Sequence, residues 1–173
     1  MKSIILAVLV CVMPSITQTS HVLPYKVKWR TSEVVGNITI KSTLPLKNWK
    51  IKNITNIYDS SKNVFFNSFE NLTCDYDKLG PLEIRVISAD MLRDRRYFAM
   101  AMPYNFGRYF KLSNTLYIIH DMFNHPEYLA HELAHYFYDE CKVDFKGDIK
   151  EHTKVYQFQD FYKKRSYYDG KKI

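Results

Sequence analysis

The chain has 173 residues, 46% of them hydrophobic and 16% aromatic, with five glycines and a formal charge of +7. That length and apolar content point to one folded domain with a modest core and exclude an intrinsically disordered chain. The basic residues are scattered apart from the tail, Lys163, Lys164, Arg165, Lys171 and Lys172, and no nucleic-acid motif accompanies them. No nucleic-acid partner is therefore expected, and the charge reads as a solvated surface with an attraction to anionic envelope polymers or headgroups.

The N-terminus, MKSIILAVLVCVMPSITQTS, has one lysine, an apolar run from Ile4 to Met13, a break at Pro14 and then small hydroxyl residues. This is the organisation of a secretory signal peptide over residues 1–20, and the run is too short to span a bilayer. Val10 before Cys11 does not fit a lipoprotein site. The expected location is secreted or periplasmic, without stable membrane insertion. Cleavage would remove Lys2 and no acid, so +7 becomes +6. Cys74 and Cys141 remain, and in an oxidising compartment an even pair is expected to form a disulfide. Such a bond would join the middle of the chain to the end of a HELAH segment.

Alternation and β-branched content predict early strands in YKVKWR and GNITIKS. Asp59 followed by Val64, Phe65, Phe66, Phe69 and Leu72 predicts an amphipathic helix with a capped start. Gly80-Pro81 marks a turn, and LEIRVIS, Leu82 to Ser88, is a strand. RDRRYFAMAMPYNFGRYF reads as irregular and basic, and NTLYIIHD, Asn114 to Asp121, as a second clear strand. NHPEYLAHELAHYFYDE then reads as a helix, with Asn124 and Glu127 forming a capping box and Pro126 in the first turn. A last helix is expected from about Ile149 to Lys164, with Val155, Phe158 and Tyr162 on its apolar side. The order predicts an α+β fold, residues 21–173, with helices packed on a small sheet.

Residues four apart on a helix share a face, so His131 and His135 can aim both imidazoles at one metal ion. Glu132 between them is placed to take a proton from a zinc-activated water, as a general base. A catalytic zinc needs a third protein ligand. Asp139 lies on the same ridge, about 12 Å from His131 along the axis, too far to share the ion. Cys141 is expected to be taken by its disulfide with Cys74. Asp144 and Asp148 fit loop and cap roles. Glu151 and His152 remain, in the first turn of the next helix, and the residues alone leave the choice between them open. Glu151 shares a face with Val155, Phe158 and Tyr162 and suits a helix N-terminus electrostatically. It thus has an explanation that His152 lacks.

HELAH on a helix after a strand resembles the zincin metallopeptidases. Residues 114 to 162 look like the compact bacterial and phage members, and the spacing from HELAH to HTKVY is similar to that of the small SprT-like zincins. The resemblance implies a zincin-like fold, a small, mostly antiparallel sheet packed on the HExxH helix and a C-terminal helix. It implies zinc held by His131, His135 and His152, with Glu151 the alternative third ligand and Tyr156 packed behind the third ligand. NTLYIIHD would be the strand edge that docks an extended peptide. The implied function is hydrolysis of peptide bonds in a peptide or protein substrate, with Glu132 as general base. A transition-state donor is expected among Tyr156, Tyr162, Tyr167 and Tyr168. The alternative is a secreted domain without turnover that binds metal or a partner.

Overall fold

Four strands rich in β-branched and aliphatic residues, with a fifth of sequence GRYF, build one sheet in the order β1-β2-β3-β5-β4. Its strands are β1 (Thr31–Val35), β2 (Ile38–Ser42), β3 (Leu82–Ile87), β4 (Gly107–Phe110) and β5 (Thr115–Ile119). The computed structural model describes residues 27–68, 74–94, 106–143 and 148–168. The expected signal peptide lies outside these, and no described helix is long and apolar enough to cross a membrane. Four α-helices accompany the sheet: α1 (Asn48–Ser68), α2 (Ala89–Arg93), α3 (Pro126–Glu140) and α4 (Asp148–Tyr168).

The α+β class is as expected, but the mostly antiparallel sheet is not. β1 and β4 pair antiparallel with β2 and β5, whereas β2–β3 and β3–β5 are parallel. Periodicity gives strands and faces; it says nothing of direction, which depends on how the intervening helices return the chain. Ile38, Ile40, Leu82, Ile84, Val86, Leu116 and Ile118 face one layer, containing α1, α3 and α4. Ile87, Tyr117 and Ile119 face the other side, where Leu92 and Trp29 complete a smaller cluster. Phe65 joins three helices, its ring centroid lying 5.3 Å from Phe137, 5.0 Å from Tyr138 and 6.1 Å from Phe158.

Other boundaries differ for local reasons. The first strand begins at Thr31, beyond the whole of YKVKWR, and Trp29 is used for packing instead. α1 begins at Asn48 and passes through Asp59, because Ile54, Ile57, Ser61, Val64 and Phe65 form one continuous buried stripe. Asn124 does not cap α3: it closes a 3₁₀ turn over His120–Phe123. His125 precedes the helix without a side-chain cap bond, its backbone held outside the helical region by Pro126 at the first position. β4 arises in the segment expected to be irregular. β5 is consequently interior, and the sheet edge beside α3 belongs to β4, not to NTLYIIHD.

α3 ends in a Schellman turn, with Lys142 at φ 50°, Lys142 N–H donating to Asp139 C=O (2.9 Å) and Val143 N–H to Tyr138 C=O (3.0 Å). Cys141 at this corner is buried and lies at disulfide distance from Cys74, with Cα atoms 4.6 Å apart and a sequence separation of 67. Closing so long a loop restricts the unfolded chain. Replacing both cysteines by serine is expected to lower unfolding free energy by about 3–4 kcal/mol, measured by denaturant titration. The same loss should follow reduction of the native protein.

Candidate functional site

Leu129, Ala130, Leu133, Ala134, Tyr136 and Phe137 are fully buried, which fixes the rotation of α3. The remaining stripe, with His131, Glu132, His135 and Asp139, faces a cleft of about 650 Å3. β4 forms one wall of the cleft, and His152, Tyr156 and Gln159 of α4 line the other.

Both α3 imidazoles are held by α4. His131 Nδ1 lies 2.9 Å from Gln159 Oε1, and His135 Nδ1 lies 2.7 Å from Glu151 Oε1. Each acceptor selects the Nδ1–H tautomer and leaves the Nε2 lone pair for another partner. Burial, helped by His135 and His152, pushes His131 down to about 4, against the Gln159 bond. Burial likewise lowers His135, against the Glu151 carboxylate. Both rings are therefore neutral at pH 7, the form that binds metals.

The ring centroids of His131 and His135 lie 5.4 Å apart, and those of His135 and His152 lie 5.0 Å apart. Two imidazoles on one tetrahedral zinc, at about 2.0–2.1 Å, have centroids about 5 Å apart. The donor types are those that zinc takes. Among the described residues no three His, Cys, Asp or Glu side chains are gathered closely enough, as placed, to enclose one. The α3 pair is set by the helix, whereas His152 reaches in from α4 and is exposed.

Glu132 points toward β4. Ile119 N–H donates to Phe106 C=O (2.9 Å), and Gly107 is opposite Ile118. By the alternation of an antiparallel pair, the backbone groups of Arg108 face β5, while those of Gly107 and Tyr109 face the open edge. Tyr109 N–H donates to Glu132 Oε2 at 2.9 Å across that edge. Part of the side chain reaches the cleft, yet the protein crowded round its carboxyl pushes Glu132 up to about 8, against the Tyr109 N–H and Arg108. A displaced carboxyl beside two imidazoles in a cleft makes Glu132 a candidate for acid–base chemistry.

Of the tyrosines expected as donors, Tyr156 lines the cleft and packs against His131, with ring centroids 4.9 Å apart. Tyr162 is buried against Ser60, its hydroxyl 3.1 Å from Ser60 Oγ. The side chains of Tyr167 and Tyr168 lie outside the described residues, as does Asp144. Asp139 is engaged by Tyr109 and Lys111. Sequence reasoning missed Gly107 and Tyr109, because GRYF is too short to show a period. Gln159 did carry a signal, since it shares a helix face with His152.

No protein-family model, curated protein or solved structure matches the chain.

A Cβ at Gly107 would lie 2.7 Å from Ile118 Cδ1, 2.8 Å from Glu132 Cγ and 2.8 Å from the Tyr117 carbonyl oxygen. Gly107→Ala is expected to cost about 1–3 kcal/mol in denaturant unfolding. A structure of the variant should show Glu132 displaced; an unchanged midpoint would mean that the strand accommodates the methyl.

Proposed function

We propose that this chain is a secreted zinc-dependent metallopeptidase, with His131, His135 and His152 as the metal donors and Glu132 as the general base. The observation that most supports the reading is the tethering of both α3 imidazoles through Nδ1, beside a carboxyl held at an open strand edge. A zinc ion bound there would acidify a water, polarise a substrate carbonyl and favour the ionised form of Glu132. Glu132 takes a proton from the attacking water and returns it to the leaving amine. The hydrogen bonds of Glu151 and Gln159 to the two α3 rings support an orienting role for both, with His152 as the third donor. Tyr156, at the cleft mouth against His131, is the best placed of the expected tyrosine donors. An extended peptide is accommodated along the open edge of β4.

One observation favours the second reading, a secreted metal-binding or interaction domain without turnover: three donors do not converge among the described residues. Metal analysis and peptide hydrolysis separate the two. Stoichiometric zinc, cleavage lost on chelation and restored by zinc, and a fall of about 10²-fold or more in Glu132→Ala support the peptidase. Protein purified without zinc, and unable to take it up, would sink that reading.

The donor assignment has its own test. His152→Ala is expected to abolish stoichiometric zinc, whereas Glu151→Ala should weaken binding about 10–100-fold, by competition with a chromophoric chelator. The opposite ranking would make Glu151 the ligand.

A further inference from the structure

We infer that Tyr109 is the positioning residue of Glu132: its backbone N–H fixes the carboxyl, and its hydroxyl anchors strand β4 to the same helix two turns further on. For its effect on turnover the inference rests on the metallopeptidase reading; the hydrogen-bond arrangement itself does not.

Glu132 and Asp139 are seven residues apart on α3, about 10 Å along its axis. Tyr109 spans that interval. Its N–H lies 2.9 Å from Glu132 Oε2 and its hydroxyl 3.0 Å from Asp139 Oδ2. The hydroxyl also lies 2.8 Å from Asn114 Oδ1, so its one proton faces two acceptors. Asn114 is oriented in turn by its amide, which donates to Glu140 Oε1 at 3.1 Å. Glu140 Oε2 accepts from Gly80 N–H at 2.8 Å, which ties the arrangement to the start of β3. The Tyr109 ring stands edge-on to Tyr136, with centroids 6.0 Å apart.

This bracing matters because β4 is a four-residue edge strand, paired with β5 alone among the described residues. Short edge strands are the parts of a sheet that open most easily. Without a second attachment, the amide facing Glu132 would move with the edge. Carboxyl placement would then vary on the scale at which proton transfer is sensitive. The hydroxyl-to-Asp139 bond is charge-assisted and partly shielded from water, which makes it an effective pin.

The mature protein, carrying Tyr109→Phe, is the test, with two readouts. Backbone amide exchange at position 109 should be about tenfold faster in Tyr109→Phe and in Glu132→Ala, while the Arg108 amide, bonded within the sheet, is unchanged. In zinc-loaded protein, Tyr109→Phe should keep full zinc content and a KM within about twofold, while kcat falls about tenfold. Unchanged exchange at position 109, or a loss that follows KM or zinc content, would overturn the inference. Asp139→Ala removes the acceptor and leaves the tyrosine. It should reproduce the faster exchange, and serves where Tyr109→Phe fails to fold. If the wild-type protein neither binds zinc nor cleaves peptides, the functional reading fails, and exchange at position 109 still decides whether the brace exists.

Discussion

The rotation of α3 about its own axis is the constraint on which the rest depends. Six of its side chains are fully buried against the sheet, α1 and α4, and none can leave without opening a cavity costing a few kcal/mol. With the apolar face committed, the polar stripe has one place to go. His131, Glu132, His135 and Asp139 must look out between the open edge of β4 and the flank of α4. The hydrophobic effect, which has no directional preference, thus aims four polar groups. Their finer orientation comes from hydrogen bonds supplied by the two walls: Gln159 and Glu151 from α4, Tyr109 from β4.

These polar groups work against stability. A carboxyl pushed up to about 8 is held at neutral pH in surroundings that disfavour its charge. An imidazole lowered to about 4 has likewise given up its charged form. Such costs are tolerated where function needs them and are offset by the core beneath. The offset is local. Phe65, Phe137, Tyr138 and Phe158 pack directly under the stripe and join α1, α3 and α4 in one aromatic cluster.

How much of this was legible in the sequence follows the range of the interactions. HELAH, its helix and the strands β3 and β5 are local patterns, and they appear where the residues place them. The apolar face of Val155, Phe158 and Tyr162 is buried, as its spacing implies, and this sets Glu151 toward His135. β4 was not legible: four residues with a glycine have no period, and the strand exists because β5 offers it a partner. The role of Tyr109 was hidden for the same reason, since it depends on which backbone groups face the free edge. The start of α1 was obscured by asparagines and threonines that resemble turn residues, although its isoleucines recur at helical spacing. At α3 the capping pattern was present, and proline chemistry two residues after Asn124 overrode it.

The third donor is the least determined part of the proposed centre, and the chain's path explains why. His131 and His135 share one helix, so their separation is fixed by helix geometry. His152 arrives on α4 after the turn at Cys141 and Lys142, and its approach depends on how α4 docks against α3. Two kinds of contact set that docking. The buried face of α4 anchors the helix in the core, and the Glu151–His135 and Gln159–His131 bonds register it along the stripe. Residues 151 and 159 are eight apart, a little over two turns and about 80° round the helix, so they lie on adjoining faces of α4 that both border the cleft. One helix therefore grips the two imidazoles at two points and brings residue 152 beside the second. A metal bound by all three histidines would draw on this register rather than create it, and the Cys74–Cys141 link holds the C-terminal end of α3.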